Sequence, residues 1–248
     1  MVLRFILYRI LYLGIPILVV LQLTLSCASS ESSLRVMAAS SLTEVFQEIA
    51  KEFESTNKTT VSITTAGSSS LASQIEDGAQ VDVVALADEE TMRRVEISGS
   101  LNNEDPRIFA TNYLVLATPT GNPRDIATLE DLEGKVVAIC SEQVPCGKLS
   151  YELADKYQIE LRPSTFEPNV RSVRTKIELG EVDAGLIYIT DVTEKIEYSP
   201  IVGADQVITN YPIASTSSSN GRANDFITFV LSPSGQRILR NYGFGAAP

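Results

Sequence analysis

Serine hydroxyls and backbone amides at the starts of predicted helices carry the chemistry that this sequence offers. Ser41 follows a short apolar strand at residues 34–38 and precedes a strongly patterned helix, and Ser68 stands in the same place after a predicted strand at 61–66. Such a helix start combines unpaired N–H groups, the positive end of the helix dipole and a hydroxyl, which together bind anions. Because most serines at such junctions only cap a helix, a site is predicted only if other junctions converge on these two.

Two further junctions of this kind follow in the second half of the chain. Cys146 comes after a predicted strand at 135–140, and Asn169-Val170 precedes another amphipathic helix. Tyr188 lies near the end of a buried strand at 184–189. A nearly uncharged cavity built from the N–H and O–H donors of these junctions would bind a tetrahedral oxyanion by hydrogen bonds alone.

The elements that position these residues alternate between strand and helix. The first helix is the most strongly predicted, because residues between Leu42 and Phe53 repeat their apolar side chains at helical spacing. Ser41, Thr128 and Asn169 are the predicted N-caps, and Pro145 suits a first helical turn. Alternating strands and helices with short connections predict a parallel sheet, and ligands of such sheets bind beyond the carboxyl ends of the strands.

Residues 1–26 differ from the rest of the chain. They contain Arg4 and Arg9, a long apolar run and no acidic residue, which is typical of an export signal. Cys27 follows a segment similar to a bacterial lipobox, so we predict a lipoprotein with its lipid on Cys27 and a lipid-attachment and tether segment at 27–33. An uncleaved membrane anchor and simple secretion are the alternatives.

The remaining cysteines, Cys140 and Cys146, form an even pair in a chain predicted to be exported. An oxidising compartment favours a disulfide between them. Two buried thiols, or a reactive Cys146 at a helix start, are the alternatives.

Composition excludes several classes of protein. The 248 residues contain no histidine, which removes Ser-His-Asp and Cys-His catalysis and histidine-based metal sites. An enzyme with Ser41 or Cys146 as nucleophile would depend on a lysine base, of which Lys148 is the nearest in sequence to Cys146. We therefore predict no enzyme, no cofactor and no direct metal ligation. The net charge of −11 becomes −13 without residues 1–26, which argues against nucleic acid as a partner.

Short motifs spread along residues 34–244 resemble the periplasmic molybdate-binding proteins of ABC transporters, which have the type II periplasmic binding protein fold. Each motif is weak alone, but all occur in the family's order. They are 38–43 (AASSLT), 66–72 (AGSSSLA), 78–79 with Asp82, 87–88, 144–147 (VPCG), 169–171 (NVR), 185–188 (GLIY) and 242–244 (YGF).

The resemblance implies a fold and a set of ligand residues. The fold is α/β with two lobes, each a mixed, mostly parallel sheet flanked by helices, and a ligand cleft between them. We expect one lobe at 34–111 plus 214–248 and the other at 112–213. The implied ligands of the oxyanion are the Ser41 and Ser68 hydroxyls with nearby amides, the Cys146 and Val170 N–H groups, and the Tyr188 hydroxyl.

Three details qualify this set. Cys146 stands where the family usually has a small residue such as alanine, and Gly67 where serine is common. A one-residue shift in register would make Ser40 rather than Ser41 the donor.

The implied function is capture of molybdate or tungstate outside the cytoplasm and delivery to an ABC transporter permease. We expect a monomer in the bacterial cell envelope, in the periplasm or on the outer face of the cytoplasmic membrane, held by its lipid. The alternatives are a binding protein for another tetrahedral oxyanion such as sulfate, and a sensory or interaction module on the same fold.

Overall fold

The structure is a computed structural model that describes residues 32–102, 106–219 and 221–248. Residues from Ser33 to the end of the chain form one compact unit. Within the described residues, no helix combines the length and the apolar composition that a membrane span needs.

The predictions for the extreme N-terminus lie largely outside the described residues. This applies to the signal peptide at 1–26 and to lipidation of Cys27. Of the predicted tether, only Ser32 and Ser33 are described, and they begin the first strand rather than continuing a linker.

Strands and helices alternate along most of the chain. The strands are β1 (Ser32–Ala39), β2 (Thr59–Ala66), β3 (Val83–Ala85), β4 (Arg107–Pro119), β5 (Val137–Cys140), β6 (Thr165–Glu167), β7 (Ala184–Tyr188), β8 (Ile196–Ser199) and β9 (Ile208–Ser215). The α-helices are α1 (Thr43–Thr56), α2 (Ser68–Glu76), α3 (Glu89–Ile97), α4 (Pro145–Lys156), α5 (Val170–Glu178), α6 (Ala223–Leu231) and α7 (Pro233–Asn241). Short 3-10 turns lie at Ser40–Leu42, Glu130–Leu132, Ile189–Asp191 and Ala204–Gln206.

The strands form a mixed sheet in the order β2-β1-β3-β9-β4-β7-β5-β6, with β8 also paired to β4. The pairs β1–β3, β5–β6 and β5–β7 are parallel. The pairs that involve β4 or β9 are antiparallel. The predicted parallel arrangement therefore holds for β1 with β3 and for β5 with β6 and β7, and the antiparallel strands β4 and β9 join these two groups.

Strand β4 connects two hydrophobic cores. Its first part, Arg107–Tyr113, pairs with β9, and its second part, from Leu114, pairs with β7 and β8. The first core contains the buried face of α1 and the ring of Phe226, and the second core contains the apolar residues of β5 and β7. The predicted lobe boundaries at 111/112 and 213/214 stay a prediction, although these cores meet along the same two strands.

Helix α1 shows why the first core could be read from the sequence. Its predicted apolar face is buried throughout, from Leu42 to Phe53. Phe53 and Phe226 pack edge to face with ring centroids 5.3 Å apart, the geometry that aromatic quadrupoles favour. Burial of this stripe, rather than intrinsic propensity, therefore holds α1 in place.

Some predicted details of the helix ends are wrong. Ser41 is not an N-cap, since it lies inside the 3-10 turn that precedes α1 and makes no capping hydrogen bond. Thr128 does not cap its turn either, because Asp131 accepts the local amides there instead. Asn169 does cap α5 by accepting the Ser172 N–H at 3.0 Å, and Pro145 occupies the first turn of α4 as predicted.

Candidate functional site

The residues selected from the sequence meet around one small cavity. The starts of α2, α4 and α5, the 3-10 turn before α1 and the end of β7 surround it, and it offers about 10 Å³ to the centre of a water molecule, which is about the room that one water needs. Its lining residues are Ala39, Ser40, Ser41, Gly67, Ser68, Ala87, Val144, Pro145, Cys146, Asn169, Val170 and Tyr188. All five predicted ligand residues are therefore present at one place.

The Ser41 side chain is held from behind by a tyrosine. Ser41 Oγ lies 3.0 Å from the hydroxyl of Tyr211, and both residues are buried. Ser40 also lines the cavity, and its backbone carbonyl accepts a hydrogen bond from Thr43 Oγ1 at 2.7 Å. The 3-10 turn thus brings both candidate serines to the site.

Ser68 begins α2 and has its own partner. Its hydroxyl accepts a hydrogen bond from the Ala87 N–H at 3.0 Å, so the Ser68 proton is free for a group in the cavity. Gly67 directly precedes Ser68 and has an extended backbone conformation. The junction between β2 and α2 therefore supplies the Ser68 hydroxyl and the first-turn amides of α2. These amides have no acceptor within their own helix.

Cys146 lies in the first turn of α4 and forms a disulfide with Cys140, which ends β5. The sulfur is therefore bonded to a strand end, and the reading of Cys146 as a reactive thiol does not apply. What Cys146 can offer the cavity is its N–H, since amides of a first helical turn lack an intrahelical acceptor. The family usually has a small residue such as alanine at this position. A cysteine can stand there because its side chain is held in the disulfide and only its N–H is needed.

Val170 contributes from the start of α5. Because Asn169 Oδ1 accepts the Ser172 N–H, the earlier amides of that turn are left to face the cavity region. Val170 itself is buried. Its side chain is apolar, so only its N–H can act as a donor at the site.

Tyr188 carries the most unusual polar atom of the site. Tyr188 is 1 % exposed, and its hydroxyl lies close to that of Tyr211 but makes no hydrogen bond of normal geometry with the described residues. A buried hydroxyl without a partner is costly, so its presence beside a cavity indicates a ligand that completes the hydrogen bond. Burial raises the pKa of Tyr188 well above its usual value, which keeps the proton on the oxygen.

The cavity contains no charged lining residue, which sets its electrostatic character. Among the described residues that line it, the positive ends of α2, α4 and α5 and the hydroxyls of three serines and one tyrosine provide the complement to an anion. A larger cavity of about 640 Å³ lies elsewhere, between residues 129–139 and 159–163. Its charged side chains are at the surface, as in the exposed Arg162–Glu160 pair, and do not converge on one point.

Contacts across the cavity join the two cores. The Ser69 hydroxyl donates to the Gln143 carbonyl, and the Arg171 guanidinium binds both carboxylate oxygens of Glu44 at 2.6 Å. A Cβ atom on Gly67 would lie less than 3.0 Å from the Pro168 carbonyl oxygen. The absence of a side chain at Gly67 is therefore what permits this close approach, which explains the departure from serine noted in the sequence.

A buried carboxylate, Asp191, lies one turn beyond Tyr188. Both of its oxygens lack a hydrogen-bond partner among the described residues, and Arg174 Nη1 is 3.9 Å from Oδ1. Burial raises the pKa of Asp191 to about 7, while the Arg174 charge opposes this rise. Glu44 and Arg171, which lie across the cleft rim, act in opposite directions on the same pKa.

Two residues behind the cavity were missed from the sequence. Tyr211 on β9 and Asn112 on β4 are both buried, and Asn112 Nδ2 lies 3.4 Å from the Tyr211 hydroxyl. Neither follows a strand-to-helix junction, so the signal that identified the other residues is absent at both positions. The strand order β1-β3-β9-β4 brings them next to Ser41, which follows β1.

Comparison with known proteins gives a family and a fold. The model of the bacterial extracellular solute-binding protein family matches residues 34–245. The Mycobacterium tuberculosis (strain H37Rv) molybdate-binding protein ModA is 36% identical over 220 residues, which is 86% of this chain and 84% of that protein.

Two further similarities extend this comparison. A Bacillus subtilis (strain 168) protein assigned as an ABC transporter substrate-binding lipoprotein, YvgL, is 27% identical over 90% of this chain and 94% of its own length. The periplasmic molybdate-binding protein of Azotobacter vinelandii superimposes with a TM-score of 0.74 and 19% identity, covering 87% of this chain and all of that one. The chain thus shares the periplasmic binding protein fold.

Asp191 should make stability depend on pH. Because the folded protein holds this proton up to about pH 7 while an unfolded chain releases it near pH 4, stability is lost as pH rises across that interval. Asp191→Asn cannot ionise, so its melting temperature relative to the unsubstituted protein should be higher at pH 8 than at pH 5. Thermal unfolding monitored by circular dichroism measures this.

The matched control is Asp205→Asn, which changes an exposed aspartate in the 3-10 turn at Ala204–Gln206. It should shift the melting temperature equally at the two pH values. An equal shift for Asp191→Asn as well would show that Asp191 is ionised throughout the range.

Proposed function

The chain belongs to the bacterial extracellular solute-binding protein family, and from this premise we propose that it captures molybdate or tungstate and delivers the ion to an ABC transporter permease. The 36% identity to a molybdate-binding protein over most of both chains supports the choice of ion. The single structural observation that carries the proposal is the cavity itself. Five predicted donor groups converge on its small central space, and the Tyr188 hydroxyl there makes no hydrogen bond of normal geometry with the described residues.

The chemistry of the cavity selects a fully deprotonated tetrahedral anion. The Ser41, Ser68 and Tyr188 hydroxyls and the Cys146 and Val170 amides act as donors, so each bond is charge-assisted by the anion. A protonated oxyanion needs an acceptor, and these hydroxyls do not supply one when each of them donates to the ion. Sulfate is smaller than molybdate and would not reach all the donors at once.

Neutral donors have to overcome an unfavourable overall field. The net charge is −11, so long-range attraction does not recruit an anion to this protein. Binding then depends on local dipoles in a site from which water is removed, where hydrogen bonds are stronger than in water. Closure of the cleft over the ion supplies that condition, and contacts such as Ser69–Gln143, Arg171–Glu44 and Lys148–Glu90 hold the closed form.

The permease partner and the location follow from the same proposal. The protein acts in the bacterial cell envelope as a monomer, outside the cytoplasmic membrane, and a lipid on Cys27 tethers it there. Similarity to a substrate-binding lipoprotein supports this tether. Neither catalysis nor nucleic acid has a part in this function.

Titration calorimetry of the protein with molybdate, tungstate, sulfate and phosphate tests the proposed ligand. We expect submicromolar binding of molybdate and tungstate, because five donors fit a large tetrahedral dianion, and no measurable binding of the other two ions. Binding of sulfate alone would favour the alternative oxyanion. Absence of heat with all four ions would favour a sensory or interaction module.

Removal of either serine hydroxyl should weaken molybdate binding. Ser41→Ala and Ser68→Ala each delete one charge-assisted hydrogen bond, which corresponds to a loss of about 1 to 3 kcal/mol in binding free energy. Calorimetry measures the change. Ser70→Ala is the control, because Ser70 is exposed on the same helix as Ser68 and does not line the cavity. Unchanged affinity in both Ser41→Ala and Ser68→Ala would show that the ion binds elsewhere.

Gly67→Ala should hinder closure of the cleft without lowering the stability of the fold. In the structure the added methyl group overlaps the Pro168 carbonyl. Opening of the proposed cleft would relieve this overlap, so we expect molybdate affinity to fall about ten-fold or more. Small-angle scattering should show less compaction on addition of molybdate. The melting temperature of the ligand-free protein should not fall, because Gly67 has an extended backbone that alanine adopts freely.

Gly221→Ala is the matched control for this substitution. Gly221 has nothing within 4 Å of an added Cβ and lies far from the cavity lining. If Gly67→Ala binds molybdate as tightly as Gly221→Ala, the approach of Gly67 to Pro168 is not needed for ligand binding.

A further inference from the structure

A chain of buried hydrogen bonds runs from Ser41 away from the cavity. The Ser41 hydroxyl meets the Tyr211 hydroxyl at 3.0 Å, and Asn112 Nδ2 meets the same Tyr211 oxygen at 3.4 Å. Asn112 Nδ2 also meets Thr190 Oγ1 at 2.8 Å. We call the Ser41, Tyr211 and Asn112 side chains the relay.

The backbone fixes the orientation of the Asn112 amide. The N–H of Tyr113 donates to Asn112 Oδ1 at 3.0 Å, so the oxygen end of the amide is assigned by a group that can only donate. Its NH₂ end must then face Tyr211 and Thr190, and its two protons are both used there. An amide turned the other way would place its NH₂ against the Tyr113 N–H.

This orientation sets the direction of every later bond. Because Asn112 donates to Tyr211, the Tyr211 oxygen acts as an acceptor on that side. The nearby Tyr188 hydroxyl makes no hydrogen bond of normal geometry, so Ser41 Oγ at 3.0 Å is the acceptor left for the Tyr211 proton among the described residues. Ser41 Oγ then accepts from Tyr211. Its own proton is left to point into the cavity, where it has no competing acceptor within the relay.

The opposite direction would make Ser41 a poor ligand for an anion. If Ser41 donated to Tyr211, a lone pair of Ser41 Oγ would face the cavity and repel a dianion. We infer that Asn112 and Tyr211 are positioning residues that fix the Ser41 hydroxyl as a donor toward the bound oxyanion. This inference rests on the proposed function and deepens it, since it names residues that set specificity without touching the ion.

Burial of the three side chains keeps the relay's hydrogen bonds in this donor-to-acceptor direction. Tyr211 is fully buried, Asn112 is 2 % exposed and Ser41 is 7 % exposed, so water does not compete for these hydrogen bonds. The Tyr211 ring packs edge to face against the rings of Phe109 and Phe244, at centroid distances of 6.1 and 5.5 Å. Rotation of the tyrosine away from Ser41 would therefore disturb the first core.

A double-mutant cycle of Ser41→Ala and Tyr211→Phe tests the inference. Tyr211→Phe keeps the ring and removes only the hydroxyl, and we expect it to weaken molybdate binding about two- to ten-fold in calorimetry. In the Ser41→Ala background it should have no further effect, because the group it positions is gone. A merely structural role of Tyr211 would weaken binding by the same factor in both backgrounds, which overturns the inference. Tyr198→Phe, on the exposed side of β8, is the control and should leave the affinity unchanged.

A second cycle tests the direction of the bonds and remains informative if Tyr211→Phe folds poorly with Ser41→Ala. In Asn112→Asp the carboxylate accepts from Tyr211, which turns the relay around, and its charge also repels the ion through space. With Tyr211 present both effects act, whereas with Tyr211→Phe only the charge acts, so the loss of affinity should be larger in the first case. Equal losses would overturn the assigned direction.

These outcomes separate the inference from the proposed function. If the unsubstituted protein does not bind molybdate, both are overturned. If it binds and neither cycle shows coupling, the relay alone is overturned. Thermal unfolding of each variant confirms that the measured changes belong to folded protein.

Discussion

A dianion can be bound by neutral groups only if many donors point at one small volume, and this constraint organises the molecule. One hydrogen bond contributes little after the loss of water is counted, so several have to act together. Helix starts are efficient for this purpose, because each supplies free amides and a favourable dipole without a charged side chain. The fold places three such starts, on α2, α4 and α5, together with the turn before α1 around the same cavity.

Several residues near the cavity are selected by packing rather than by contact with a ligand. The side chain of Cys146 is withdrawn into a disulfide with the end of β5, which fastens the turn that carries its amide. Gly147 is required beside it, because a Cβ there would overlap the Ser141 carbonyl. In the sequence such residues are departures from the family pattern, and contacts with the neighbouring backbone explain why they occur.

The elements could be predicted because they follow from local patterns. The donor set came from the helix starts together with the resemblance to a known family, and it stays a prediction. The apolar stripe from Leu42 to Phe53 is a helical period, and Asn169 before an amphipathic segment is a cap signal. The cap predicted at Ser41 was wrong because the Ser41 hydroxyl forms a hydrogen bond with Tyr211, 170 positions away, instead of with a helix amide. Tyr211 and Asn112 could not be found in the sequence, since their roles depend on strand pairing between distant segments and on the burial that results.

Strands β4 and β9 carry a mechanical consequence. They pair with each other next to the first core, and β4 then continues without a break into its pairing with β7 and β8. A rotation of one core against the other must therefore twist a continuous antiparallel ribbon rather than swing about a loose loop. Twisting such a ribbon distorts many backbone hydrogen bonds at once, so the ribbon resists the rotation and keeps it about a defined axis. The same ribbon carries Asn112 and Tyr211, and the Tyr211 hydroxyl contacts Ser41 Oγ at 3.0 Å.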